Sequence, residues 1–155
     1  FLTSFLLIKY WLNNKKIILY KDPNNTYTNK FVFFGIGSAV LLVIHSIFLG
    51  IKFEYELYKL FRRVVILFFI VFEIIAQTYL VICLYKIRHS ISENINEIFL
   101  KLKIFLVSLL IIVALISIPI VSAPGNKYLK HALEWDYFVG VISFYLLTFF
   151  MWKKN

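Results

Sequence analysis

Four long apolar runs constrain this chain more than any other feature. They cover about residues 31–51, 64–85, 104–122 and 137–152, and charged side chains collect at their ends. A helix needs about 20 mostly apolar residues to cross the hydrocarbon core of a bilayer. Only 16% of the residues are charged, against about a quarter in soluble domains. The sequence therefore predicts an all-α polytopic membrane helix bundle with four full transmembrane helices in one domain.

Two shorter segments are predicted to be helical as well. Residues 1–12 are apolar over half the length of a span, which predicts a partial fifth transmembrane helix or a helix lying in the interface. After the second span, Ser90 and Glu93 have the spacing of a capping box. Apolar side chains then recur on one helical face, which predicts an amphipathic helix over about 91–103 on the cytoplasmic side.

The distribution of Lys and Arg predicts how the spans are oriented. Of the 17 basic residues, eleven flank the spans on the side of both termini and six on the opposite side. Because cytoplasmic loops carry the excess of Lys and Arg, we expect the N-terminal segment and the C-terminus in the cytoplasm. These juxtamembrane positions explain the net charge of +9, so we predict no nucleic-acid partner. Interfacial anchors are expected at Trp135, Trp152, Arg62 and Arg63.

A glutamate interrupts the second apolar run. Glu73 lies near the middle of residues 64–85, where a carboxylate costs at least about 2.5 kcal/mol, so that such residues face the bundle interior and have partners. Gln77 lies one helical turn further on the same face, with Thr78 beside it. His45 in the first span lies at a similar predicted depth. These four side chains are the predicted intramembrane polar cluster.

Three roles of Glu73 stay open from the sequence. A neutral carboxyl that is hydrogen-bonded to its neighbours serves helix packing. A protonatable relay or a cation site uses the same position, because intramembrane acids often mark such pathways. The third role is recognition of a lipid or of another subunit.

A second polar group lies in the segment HALEWDY before the fourth span. On a helix, His131 and Glu134 share a face. Glu134 and Asp136 also put negative charge at the N-terminal turn of the fourth span, where the helix dipole favours it. The alternative is an extracytoplasmic polar cavity that these residues form with His45 and Glu73.

Catalytic and metal-binding motifs are not found in the sequence. The three histidines lack the close spacing of zinc ligands, and the single cysteine, Cys83, supplies no thiolate pair. No glycine-rich phosphate loop or nucleophile elbow is present. We therefore predict no catalytic residue, no metal and no cofactor.

Two segments resemble a known family. The stretch FEIIAQTYL, followed by His89, is similar to the glutamate-bearing span of the Frag/DRAM/Sfk family of multi-spanning membrane proteins. HALEWDYFVGVISFYLLTF is similar to the family's last span, so that the resemblance covers Phe72–His89 and His131–Phe149. It implies a function in lipid remodelling or organisation, with Glu73 and Glu134 as the positions carried over. Family members typically have six spans, more than this sequence predicts.

The leading functional expectation is a small, non-enzymatic integral membrane protein that binds lipid or serves as an accessory subunit of a larger membrane complex. Its expected partners are membrane lipids and other membrane subunits or further copies of the chain. The alternative is a transporter or proton-relay component that uses Glu73, His45 and Gln77. A third hypothesis is a lipid-modifying membrane enzyme.

Overall fold

A computed structural model describes residues 2–49, 55–122 and 127–152. Within these ranges the protein is all-helical, as the sequence predicts. The helices are α1 (Leu2–Lys21), α2 (Tyr27–Leu49), α3 (Glu56–Ile87), α4 (Glu97–Ser122) and α5 (Lys127–Met151), and a 3₁₀ helix (Arg88–Ile91) follows α3. The described ranges contain no β-strand, only an isolated bridge between Ile95 and Trp152.

Three of the helices are long and apolar enough to cross a membrane. They are Tyr27–Phe48, Leu60–Ile91 and Glu97–Ser117, and a shorter apolar helix covers Trp135–Met151. Their length and composition indicate a membrane location. A fourth full span and the cytoplasmic position of the termini stay predictions.

The first helix is longer than the half-span predicted over residues 1–12. α1 continues through the polar segment that follows and ends at Lys21. The buried side chains Ser4, Trp11, Asn14 and Ile18 fall on one helical face. The polar residues in the second half of α1 therefore end the apolar run in the sequence, but the buried face of the helix continues past them. Pro23 follows the end of α1. Proline has no backbone N–H to donate within a helix, and it disfavours the helical conformation of the residue before it.

The segment 91–103, predicted as a separate amphipathic helix, is divided differently. Its start belongs to the 3₁₀ helix, and its last residues form the first turns of α4, which continues into the membrane span. Asn96 marks the start of α4, because its Oδ1 accepts the backbone N–H of Ile98 at 3.0 Å. A capping side chain six residues after the predicted N-cap, Ser90, therefore sets where the helix begins.

The chain divides into two compact units, Phe1–Cys83 and Leu84–Asn155; the single transmembrane domain stays a prediction. In the first unit, α1 and α2 approach closely where Trp11 covers Gly35. A Cβ atom at Gly35 would lie only 2.4 Å from Trp11 Cδ2. α2 meets α3 further along, where a Cβ atom at Gly37 would lie 2.7 Å from Phe72 Cδ2. Glycine at these positions allows the close helix approach that membrane bundles use.

The second unit is built on the pairing of α4 with α5. The buried side chains of the two helices recur at spacings of three, four and seven residues. They are Leu100, Lys103, Val107, Leu110 and Ser117 on α4, and Tyr137, Phe144, Thr148 and Met151 on α5. Gly140 makes room for Leu110. The N–H of Asn96 donates to the carbonyl of Met151 at 2.8 Å, which joins the start of α4 to the end of α5.

Candidate functional site

The Glu73 carboxyl lies completely buried in the first unit and is hydrogen-bonded on both oxygens. Gln77 Nε2 donates to Oε1 at 3.0 Å, and Ser38 Oγ lies 2.7 Å from Oε2. Glu73 and Gln77 come from α3, one turn apart, while Ser38 comes from α2. The carboxyl therefore links two membrane helices through hydrogen bonds in a place that water does not reach from outside.

The number of hydrogens on the Ser38 hydroxyl helps to decide whether the Glu73 carboxyl is protonated or ionised. The hydroxyl oxygen of Ser38 also lies 2.8 Å from the carbonyl oxygen of Gly35, and a carbonyl only accepts. A serine hydroxyl has one hydrogen. Both short contacts are full hydrogen bonds at once only if Ser38 donates to Gly35 and Glu73 donates to Ser38. The geometry thus accommodates a neutral carboxylic acid, which also avoids the cost of a charge inside the membrane.

The other two residues of the predicted polar cluster lie apart from this hydrogen-bonded core. Thr78 donates to the backbone carbonyl of Ile74 at 2.7 Å, within its own helix. His45 is half-buried and lies about 10 Å beyond Ser38 along α2, at roughly 1.5 Å per residue. Ser38, which the sequence analysis did not select, is a cross-helix partner of Glu73.

The polar group before the fourth apolar run lies at the start of α5. The side chains of His131 and Glu134 lie outside the described residues, and the side chain of Asp136 is exposed. Helix α5 begins at Lys127 and has no acidic residue in its first turn. These residues fall in its second and third turns, so the expected placement of Glu134 and Asp136 at the N-terminal turn is wrong. The predicted sharing of one helical face is thus compatible with the backbone.

The four predicted interfacial anchors have different environments. Trp135 is 66% exposed and packs edge-on against Phe138, whereas Trp152 is half-buried. Arg63 is exposed, and Arg62 is half-buried. Both arginines lie inside α3 rather than before it. An exposed tryptophan at the end of an apolar helix suits a membrane interface.

A second buried polar centre, in the second unit, was not predicted. Lys103 is completely buried, and its Nζ donates to Thr148 Oγ1 at 2.6 Å. The same nitrogen lies 4.0 Å from the centroid of the Phe144 ring, a cation–π distance. Thr148 in turn donates to the carbonyl of Phe144 at 3.0 Å, so its single hydrogen is used and its oxygen accepts from the lysine.

The spacing of the residues around Lys103 is the signal that could have revealed its burial. The sequence analysis counted it with the basic residues beside the membrane. Leu100, Lys103, Val107 and Leu110 nevertheless lie three and four residues apart, which puts the lysine in the middle of an apolar stripe. A lysine in the centre of such a stripe packs with the stripe, unless its long side chain reaches the headgroups.

The comparisons with known proteins add no identity. No family model, no curated protein and no solved structure matches this chain. The resemblance to the Frag/DRAM/Sfk family therefore stays a prediction. Among the residues that the structure describes, no three His, Cys, Asp or Glu side chains come together as metal ligands would.

The fold and the two polar centres define a class of protein. It is a helical membrane protein in which one carboxyl and one lysine, each in its own unit, are enclosed between helices and hydrogen-bonded to hydroxyl groups. Such centres fix the register of neighbouring helices, because a polar group inside a bilayer is costly without its partner.

Proposed function

We propose that this protein is a small, non-enzymatic integral membrane protein whose outward helix faces bind lipid acyl chains. The observation that carries the proposal is the small share of the apolar spans that the protein itself covers. Only 22–33% of the most apolar window of each long span is buried. The remaining apolar surface needs an apolar environment, since exposing it to water is unfavourable.

The chemistry of these outward faces favours acyl chains over partner helices. Most of the exposed side chains in the apolar part of α4 are large and branched or aromatic, although Ser108 is exposed as well: Phe105, Leu109, Ile112, Leu115 and Ile116. Surfaces that dock other membrane helices are rich in small residues, which let backbones approach. In this protein, Gly35, Gly37 and Gly140 all face helices of their own unit. The outward faces therefore suit flexible lipid chains.

Native mass spectrometry of the protein, extracted gently from its own membrane, tests this proposal. We expect the chain alone, or a homo-oligomer of it, with retained lipid. Phe105→Ala removes an exposed aromatic ring within a span and should lower the number of lipids retained. Tyr20→Ala is the matched control, because Tyr20 is an exposed aromatic outside the candidate spans.

Two results would contradict the lipid proposal. A fixed stoichiometry with larger membrane subunits, without retained lipid, would assign the protein to the accessory-subunit class. Equal lipid retention in Phe105→Ala, Tyr20→Ala and the parent protein would show that this outward face of α4 does not hold the lipid.

A further inference from the structure

A groove of about 750 Å³ opens between the end of α2 and the start of α3 in the first unit. Its lining is almost entirely apolar and includes Phe48, Leu57, Tyr58, Leu60, Phe61 and Val64. The volume of the groove lies within the range of about 300–1,000 Å³ that is typical of small-molecule sites. The groove is therefore large enough for part of a lipid molecule.

Contacts between α2 and α3 hold the two sides of the groove together. The rings of Phe48 and Phe61 pack edge-on, with their centroids 5.1 Å apart. The hydroxyl of Tyr58 donates to the backbone carbonyl of Phe48. The groove is thus part of the folded unit, since residues of both helices build it.

The groove crosses the edge of the apolar spans. The candidate span of α2 ends at Phe48, and that of α3 begins at Leu60. Leu57 precedes Leu60 by three residues, about 4.5 Å along the helix, and its side chain is 78% exposed. Phe61 and Val64, which lie inside the span, are exposed as well. The groove therefore presents apolar surface both within the span and just outside it, at the depth of lipid headgroups.

Two arginines lie beside the groove on α3. Arg62 follows Tyr58 by four residues. Arg63 follows Leu60 by three residues, and side chains of a helix are neighbours at both of these spacings. Long side chains of a helix point back towards its N-terminus, so both arginines extend towards the edge of the span. Arg63 is exposed and Arg62 is half-buried.

Positive charge exceeds negative charge over the first turns of α3. Glu56 is the nearest acidic residue on this helix, six residues before Arg62 and seven before Arg63, whereas ion pairs on a helix form at three and four residues. Lys59 lies between them and adds a third positive charge. Arg62 Nε has no hydrogen-bond acceptor among the described residues. The start of α3 therefore attracts an anion.

We propose that the groove binds one anionic phospholipid, with its phosphate at Arg62 and Arg63. An acyl chain of this lipid lies along Leu57, Phe61 and Val64, which share one helical face. Guanidinium groups bind phosphate oxygens through paired hydrogen bonds. A zwitterionic headgroup brings a further cation towards the arginines, which disfavours it. The inference rests on the lipid binding proposed above and adds the headgroup class and the place where the lipid is held.

Native mass spectrometry of the full chain tests the proposal, after the protein has been delipidated in maltoside and titrated with palmitoyl-oleoyl phosphatidylglycerol or phosphatidylcholine. The two lipids share their acyl chains and differ in headgroup charge. We expect the parent protein to bind the first phosphatidylglycerol more tightly than the first phosphatidylcholine by on the order of tenfold, because two basic groups meet the headgroup. Arg62→Gln/Arg63→Gln should lose this preference. Arg62→Lys/Arg63→Lys should keep part of it, since the charge remains.

Two matched controls separate this groove from a general attraction of anionic lipid to a basic protein. Arg88→Gln removes a half-buried arginine just after the other end of α3 and should keep the preference. Leu57→Gln should weaken the binding of the first phosphatidylglycerol. Leu2→Gln should not, although Leu2 is a similarly exposed leucine in the first turn of α1. Circular dichroism with unchanged helix content shows that each variant is folded.

Equal affinity of the parent protein for the two lipids would overturn the proposal. An unchanged preference in Arg62→Gln/Arg63→Gln, or an equal loss of preference in Arg88→Gln, would also overturn it. A dimer that forms without lipid and dissociates in Leu57→Gln would assign the groove to a second copy of the chain instead. Binding of neither lipid would refute the lipid-binding function as well, whereas equal binding of both lipids leaves that function in place.

Discussion

Replacing Gly35 by alanine tests the packing of α1 on α2 most directly. The new Cβ would lie 2.4, 2.5 and 2.6 Å from three atoms of the Trp11 ring. Carbon atoms in contact normally lie about 3.5–4.0 Å apart, so the ring has to retreat by roughly 1 Å. Trp11 is completely buried and its bicyclic ring is rigid. Overpacking of this kind costs about 1–3 kcal/mol.

The chain supplies a matched control in Gly140→Ala. There the new Cβ would meet Leu110 Cδ2 at 2.4 Å, while the next two atoms lie at 3.3 and 3.4 Å. A single methyl group at the end of a rotatable side chain gives way more easily than a ring system. Both variants gain the same helix propensity, about 1 kcal/mol for alanine over glycine. The difference between them, about 1–3 kcal/mol, therefore isolates the clash with Trp11.

Equilibrium unfolding of the two full-length variants in maltoside micelles, with increasing sodium dodecyl sulfate and circular dichroism as the signal, measures this difference. Gly35→Ala should unfold at lower detergent fraction than the parent, and Gly140→Ala should not. In a Trp11→Leu background the penalty of Gly35→Ala should shrink, as expected for two residues in direct contact. Equal stability of the two alanine variants, or an unchanged penalty without the tryptophan ring, would refute the packing argument.

The two buried polar centres give further predictions, measured by the same unfolding titration. Lys103→Met should raise the free energy of unfolding by about 1–3 kcal/mol, because it removes a buried amine and leaves Thr148 bonded to its own helix. As a control, Lys101→Met at an exposed position should change the free energy of unfolding by less than about 0.5 kcal/mol. A Lys103→Met variant less stable than the parent would contradict the reasoning. Glu73→Leu should cost about 1–3 kcal/mol, since Gln77 Nε2 loses its buried acceptor. Glu73→Gln keeps an acceptor and should cost less; equal losses in the two Glu73 variants would argue against the hydrogen bond.

The helices follow from the sequence because their signal is local. The apolar runs at 31–51, 64–85 and 104–122 overlap α2, α3 and α4, with residues 50–51 outside the described part. The residues at which helices begin and end are less predictable, since they depend on single capping residues such as Asn96. The second half of α1 was missed for another reason. Its stability comes from one buried stripe through Trp11, Asn14 and Ile18, and polar residues on the other faces conceal the stripe from a search for apolar runs.

The candidate site was predictable within one helix and not across helices. Gln77 follows from Glu73 by the four-residue spacing of a single helix. Ser38 does not, because serine is common in membrane helices and only the register of α2 against α3 selects it. The membrane depth estimated from the sequence favoured His45 as the neighbour of Glu73, but His45 lies further along α2 than Ser38. Lys103 was missed because basic residues were assigned to the membrane edge by charge alone.

The partners of the two buried polar side chains are synthesised at different times relative to them. Glu73 follows its partner in the sequence, whereas Lys103 precedes its partners. Ser38 lies in a helix made before Glu73, so the acid meets its hydroxyl partner as soon as α3 enters the membrane. Lys103 enters with α4, while Thr148 and Phe144 are supplied by α5. A lysine without these partners is costly inside a bilayer. If synthesis stopped after α4, Lys103 would therefore be exposed to lipid. Helix α5 supplies the partners that stabilise α4 in the membrane.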